Sequence, residues 1–210
     1  STNAVDACKS ADVPIEFTVH IPTPTEPFFS VRDYGTGLPQ SDIIGLFTVA
    51  GMSTKRESNE FNGTFGIGRL SGLAYSSSFT VDSYHNGSHY SYLISMQEGI
   101  PVAVFLASSS TTEPNGLCLS LPVKPFDISS FSEKAESIYR YFTHRPTTNV
   151  DLLYKSRDLF YISDEFSIDA TLGDYSNYVL MGDVLYHLRP DSAIDERGFR
   201  RLIINCPIGS

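Results

Sequence analysis

Residues 78–95, SFTVDSYHNGSHYSYLIS, decide how the rest of the chain is read. Two alternating runs meet at Asn86-Gly87, a dipeptide that accepts the positive φ angles of a tight two-residue turn, so the stretch predicts a β-hairpin. Downstream, PVAVFLA (101–107) and GLCLSLPV (116–123) keep the period of two. Val102, Val104 and Leu106, then Leu117, Leu119 and Leu121, fall on alternate positions. Four strands therefore follow one another without an intervening helix. Behind them Phe131, Ala135, Ile138 and Phe142 recur at helical spacing, with Asp127 as the expected N-cap.

Upstream of the hairpin the order is different. STNAVDACKS (1–10) has helical spacing but no capping stretch ahead of it, as though the chain begins inside a helix. Ile15, Phe17, Val19 and Ile21 alternate as a half-buried strand, and IPTPTEP (21–27) ends it in a turn. FFSVRDYGTG (28–37) predicts a second strand running into a glycine turn, and PQSDIIGLF (39–47) a short helix opened by Pro39. Residues 49–62 are polar without a period and predict a mobile loop. The glycine cluster of NGTFGIGRLSGLAY (62–75) comes next and feeds a helix expected over Ile67 to Tyr75. Helix, two strands, helices, four strands and a covering helix describe an α+β two-layer sandwich, not the alternation of a Rossmann domain.

From about Pro146 the signals weaken. DLLYKSRDLFYI (151–162) and YVLMGDVLYHL (178–188) predict strands or hairpins, and SAIDERGFR (192–200) a short helix. The expected division is a main domain over 1–145 and a smaller β-rich extension, or bridge to a further domain, over 146–210. RLIINCPIGS (201–210) is a strand-like run that stops at once. Both ends suggest a piece of a longer protein.

Composition narrows the function classes. With 15 Lys and Arg against 24 Asp and Glu, the formal charge is −9, and the basic residues are scattered. A nucleic-acid surface needs them clustered, so none is expected in this segment. No apolar run reaches the ~18 residues of a membrane span, and no leader precedes the first helix. Cys8, Cys118 and Cys206 are odd in number and far apart, which suits free thiols in a reducing compartment and disfavours a secreted, adhesive β-rich domain.

Three separated stretches carry the chemistry. Asn3, Asp6 and Ala7 stand at i, i+3 and i+4, on one face of the first helix. Asp33 ends a strand, with Gly35 and Gly37 alternating behind it. Gly63, Gly66 and Gly68 form a glycine-rich loop feeding a helix start, where unpaired N–H groups and the helix dipole suit phosphate.

In this order the set resembles the GHKL superfamily, the ATP-binding (Bergerat) fold of DNA gyrase, heat-shock chaperones of the ninety-kilodalton class, histidine kinases and MutL. STNAVDA is similar to the second half of its N-box, DYGTG to its first glycine box, GTFGIG to its second, and EPNGLCLSLPV to its last, over residues 1 to about 125. VRDYGTGL, STKRESNEFNGTFGIG, SSFTVDSYHNG and EPNGLCLSLPVK together resemble, more narrowly, the rIIA-like protector proteins of tailed bacteriophages.

The resemblance implies ATP and Mg²⁺ as ligands. Asn3 would hold the metal through its amide oxygen, a hard ligand. Asp33 would accept from the adenine amine, with Gly37 and Leu38 beneath the ring. Gly63, Phe65, Gly66, Ile67 and Gly68 would set amides on the phosphates, and the 49–62 loop, with Thr54 and Lys55, would close as a lid. Asp6, Ala7 and Gly35 complete the implied pocket.

Two departures accompany the match. The family's general-base glutamate, four residues before the asparagine, would fall two residues ahead of Ser1, so this chain alone is expected to bind ATP without hydrolysing it while a longer chain turns over slowly. Leu117 follows Gly116 where the family often has a threonine near adenine. The resemblance further implies a phage-encoded protein in the host cytoplasm, membrane-associated in its full length, with a host or phage protein partner and a homodimer formed through other regions. The alternative is a non-catalytic interaction module that keeps the fold and uses nucleotide only as a conformational ligand.

Overall fold

The structure is a computed structural model that describes residues 1–48, 68–154, 159–163, 166–169, 177–188 and 202–206. The chain divides into two compact units, Ser1–Ser132 with Pro146–Asp151, and Glu133–Arg145 with Leu152–Ser210.

The first unit is built on a seven-stranded sheet. Strands β1 (Phe17–His20), β2 (Phe28–Asp33), β3 (Ser78–His85), β4 (Ser88–Gln97), β5 (Ile100–Ser110), β6 (Gly116–Pro122) and β7 (Thr147–Thr148) lie in the order β5-β4-β3-β6-β2-β1-β7. Every neighbouring pair is antiparallel except the short β1–β7 pair, which is parallel. The hairpin read from residues 78–95 is present, with Asn86 at φ 49° and Gly87 at φ 78°. Positive φ recurs at Glu98 (51°) and Gly99 (82°), which turn β4 into β5.

One sheet face is covered. Along β3, Phe79, Val81 and Ser83 are buried while Thr80, Asp82 and Tyr84 are half-buried, as the two-residue period requires. Helix α2 (Gln40–Thr48) brings Ile43 and Phe47 onto Phe79, Val81, Tyr92 and Ile94, and these six form a buried cluster. Removing each large apolar side chain from water contributes roughly 1.5–3 kcal/mol. Helix α1 (Thr2–Ser10) buries Ala4, Val5, Asp6 and Cys8. The mixed α+β sandwich expected from the sequence is the fold observed.

Three local expectations need correction. The first strand begins at Phe17, not Ile15. The helix expected over 67–75 is, in its described residues, a 3-10 helix over Gly68–Ala74. Gly68 and Gly72 weaken α-helix propensity, and a Cβ at 72 would lie 3.0 Å from the Phe79 ring, so this segment packs too closely for a side chain there. Asp127 does not act as a simple N-cap. It closes the 3-10 turn Pro125–Asp127, and its carboxylate accepts a 2.6 Å hydrogen bond from the Tyr75 hydroxyl.

Helix α3 (Ile128–Tyr139) starts in the first unit and ends in the second. The second unit carries β8 (Leu159–Ser163), β9 (Phe166–Asp169), β10 (Asn177–Met181), β11 (Val184–Leu188) and β12 (Leu202–Cys206), ordered β11-β10-β12-β9-β8. Its β10–β11 hairpin turns at Gly182, φ 58°. Within this unit the Arg145 guanidinium lies 4.4 Å from the centre of the Tyr154 ring, and Glu136 Oε1 accepts from the Leu153 N–H at 3.0 Å. The helix expected over 192–200 lies outside the described residues. Among the described residues no helix is long and apolar enough to cross a membrane.

Candidate functional site

Sheet register builds the site. β6 lies between β2 and β3, with Arg32 opposite Cys118 on one side and Tyr84 opposite Gly116 on the other. The end of β2, the end of β3 and the start of β6 therefore converge on one place. Asp33 closes β2 there, buried at 6% exposure.

A buried carboxylate needs donors, since stripping its water without replacement costs several kcal/mol. Asp33 Oδ1 accepts from the Gly35 N–H at 3.0 Å and from the Leu117 N–H at 3.2 Å. The first bond is local to the glycine turn; the second crosses from the turn that opens β6. Asp33 thus fastens two glycine turns to one oxygen atom.

The glycines are required by space. A Cβ at Gly35 would lie 2.9 Å from the Ala7 Cβ and 3.0 Å from the Ala7 carbonyl oxygen, so α1 sits directly on the turn. Gly37 has φ +66°, and a Cβ there would collide with the Tyr84 carbonyl. Gly116 has φ +137°, and its Cβ would collide with the Asp33 carbonyl.

α1 brings its own residues to this place. Of the three residues read as one helix face, Asp6 is buried at 1% exposure, Ala7 is half-buried against Gly35, and Asn3 is exposed. Leu38 is half-buried and packs on the Ile43 and Phe47 cluster. Gly68 opens the 3-10 helix. Thr54, Lys55, Gly63, Phe65, Gly66 and Ile67, together with the loop expected to act as a lid, lie outside the described residues.

Reading the sequence missed three contributors. The Ser83 hydroxyl, at 0% exposure for the residue, donates to the Leu38 carbonyl and accepts from the Leu38 N–H, each at 2.8 Å. A serine at the third inward position after Phe79 and Val81 was the available signal. His85 Nδ1 bonds the Thr36 carbonyl at 2.9 Å. Arg32 is the third, and nothing in the pattern of β2 distinguishes it from an ordinary strand residue; Gly116 belongs to the last glycine box already read from the sequence.

The site offers a carboxylate acceptor, which suits a ligand bringing an exocyclic amine donor. As a carboxylate Asp33 would be acceptor-only, and the two donors to its Oδ1 are main-chain N–H groups. For the metal, no group of three or more His, Cys, Asp or Glu side chains gathers among the described residues. Mg²⁺ commonly takes one or two protein oxygens and completes its octahedron with phosphate and water, so an exposed Asn3 amide at the start of α1 is compatible with it.

The fold, a large sheet with few helices, matches that of GHKL ATPase domains of the topoisomerase type. Residues 2–103, just under half of the chain, match the family described as histidine kinase-, DNA gyrase B-, and HSP90-like ATPase. Among individual proteins, the chain is 24% identical over 161 residues to a DNA topoisomerase 4 subunit of Borreliella burgdorferi, a match covering 75% of this chain and 26% of that protein. The ATPase region of Saccharomyces cerevisiae topoisomerase II aligns with a TM-score of 0.58 at 10% identity, over 88% of this chain and 60% of that one. The ATPase and transducer domains of DNA topoisomerase II from Balamuthia mandrillaris align with a TM-score of 0.55 at 15% identity, over 88% and 57%. The solved structures show a shared fold, and in each comparison the chain spans less than two thirds of its relative.

Proposed function

We propose that the first unit binds Mg-ATP, with Asp33 reading the adenine amine and Asn3 holding the metal against the phosphates. The observation that carries this reading is the Asp33 carboxylate, buried yet anchored through Oδ1 by the N–H groups of Gly35 and Leu117. Such anchoring fixes the acceptor before any ligand arrives, which is how a site gains base selectivity at low ordering cost. Gly63, Phe65, Gly66, Ile67 and Gly68 are proposed as the phosphate side, with Thr54 and Lys55 on the closing loop. Their support is the sequence pattern.

When bound, the metal would draw charge from the phosphates, and this chain's part is to orient the nucleotide and exclude water from the base. Turnover would need a general base, a role this reading gives to none of the residues named here. The narrower reading, a phage rIIA-like protein acting in the host cytoplasm, rests on the motifs VRDYGTGL and EPNGLCLSLPVK. Nucleic-acid binding forms no part of the proposal, given 24 acidic against 15 basic residues.

A second reading, a non-catalytic module that uses nucleotide only as a conformational ligand, is favoured by Leu117. Its side chain packs on the α2 core cluster, where the family often presents a threonine to the base. A thermal titration with ATP, ADP and GTP in Mg²⁺ tests binding. Ligand at a hundred times Kd stabilises by about 2.7 kcal/mol, so a clear adenine-selective rise is expected. No rise at millimolar ATP refutes the proposal for this chain. Phosphate release by a longer chain, measured beside this one, separates the two readings.

A further inference from the structure

We propose that Arg32 is a positioning residue for base selectivity, clamping Asp33 and the Gly116 turn together from the opposite face of the sheet. The inference rests on the nucleotide-binding reading above and adds to it a residue that never touches the base. Successive residues of β2 leave the sheet on opposite faces, so Arg32 lies on the face away from Asp33, the face of Ser30. There the guanidinium makes two short bonds. Nη1 donates to the Asp33 carbonyl at 2.6 Å, and Nη2 donates to the Pro114 carbonyl at 2.6 Å.

These two carbonyls belong to the two segments whose amides hold Asp33 Oδ1. Gly35 lies two residues beyond Asp33, and Leu117 three beyond Pro114. One planar, two-pronged cation therefore spans the same junction from behind that one carboxylate oxygen spans from the front. A lysine presents a single point charge and cannot reproduce the fork.

Aromatic rings fix the fork. The guanidinium carbon lies 4.2 Å from the Tyr84 ring centre and 5.0 Å from that of Tyr34. Tyr84 is itself stacked on His89, with centroids 4.8 Å apart, and His89 Nε2 is 2.8 Å from Asp82 Oδ1. Gly116 leaves the guanidinium its place, since a Cβ at 116 would lie 2.5 Å from Nη1. Arg32 occupies the space left by the missing side chain. A guanidinium held against two rings and at both prongs loses little further freedom, so it passes rigidity to the junction and from there to the carboxylate.

The test compares the 210-residue chain with Arg32→Gln and Arg32→Lys. Each is titrated with ADP and GDP, which differ only in the base, and amide exchange is followed at Gly35 and Leu117 by NMR. In Arg32→Gln the preference for ADP over GDP should fall at least fivefold, and both amides should exchange at least tenfold faster. Arg32→Lys should lie between it and the parent. An unchanged preference with unchanged exchange in a folded variant overturns the proposal, and so does failure of both variants to fold, which would make Arg32 a folding residue only. If the parent itself binds neither nucleotide, the binding reading fails. The exchange rates then still decide whether Arg32 holds the junction.

Discussion

Ser83 and Leu38 form a closed pair in which one hydroxyl satisfies both main-chain groups of one residue, donating to its carbonyl and accepting from its N–H at 2.8 Å each way. Leu38 follows the glycine turn and leads into α2, so this pair sets where the turn ends. Ser83→Ala keeps the volume nearly constant but removes the partner of two polar groups, each worth about 1–3 kcal/mol when left unmet in a part-buried place. Chemical denaturation of Ser83→Ala should show a loss in that range, whereas Ser91→Ala, half-buried on β4, should change stability by less than about 0.5 kcal/mol.

Gly35 and Ala7 predict a coupled pair. Gly35→Ala brings a Cβ within 2.9 Å of the Ala7 Cβ and 3.0 Å of its carbonyl oxygen, so α1 must move, at a cost of about 1–3 kcal/mol. Adding Ala7→Gly removes the methyl but not the carbonyl. The double variant should therefore recover part of the loss beyond what additivity allows for a helix-weakening glycine. A double-mutant cycle with no coupling would mean that α1 does not rest on this turn.

Asp33→Asn separates architecture from recognition. The amide oxygen can still accept from Gly35 and Leu117, so thermal stability without ligand should remain within a few degrees of the parent. Its NH₂ group would face the adenine amine donor to donor, a mismatch of about 2 kcal/mol or more, or roughly thirtyfold in affinity. Calorimetric titration with ADP measures this directly, and unaltered affinity would remove Asp33 from the site.

Thiol labelling probes the core. Cys8 has 0% exposure, with Sγ bonded to the Glu16 carbonyl at 3.3 Å, and burial, with a smaller push from Asp82, raises the Cys118 thiol above its ordinary range. Burial of Cys8 shields its thiol and the raised pKa of Cys118 leaves less thiolate at pH 8, so both should resist iodoacetamide in the native protein and react in denaturant. The same shift makes the contribution of Cys118 to stability full below the ordinary thiol pKa and lost as pH rises through the elevated one. Mass spectrometry of labelled peptides reads each site separately.

The strands were legible because each announces itself by local rules. Asn86-Gly87 can hardly be anything but a tight turn, and Leu117, Leu119 and Leu121 can share a face only in a strand. Asp33, Gly35 and Gly37 were legible for a similar reason, since their chemistry is contained in five residues. Ser83 and Arg32 were not, because their partners, Leu38 and Pro114, lie 45 and 82 positions away. Only the order of strands brings them together, and periodicity carries no information about which strand lies next to which. The 3-10 helix over Gly68–Ala74 was missed because its apolar spacing fits either helix type. Its two glycines and the contact with Phe79 settle the choice.

The chain passes between its two units at 132/133, at 145/146 and again at 151/152, and the first of these crossings falls inside α3. No single cut can release either unit intact. Cleavage after Ser132 severs a helix in mid-course, and cleavage after Arg145 strands β7, the short strand that completes the first sheet, on the wrong fragment. The two units are stitched rather than strung, so a truncated form for laboratory work must either keep residues 1–151 together or accept a sheet missing its last thread.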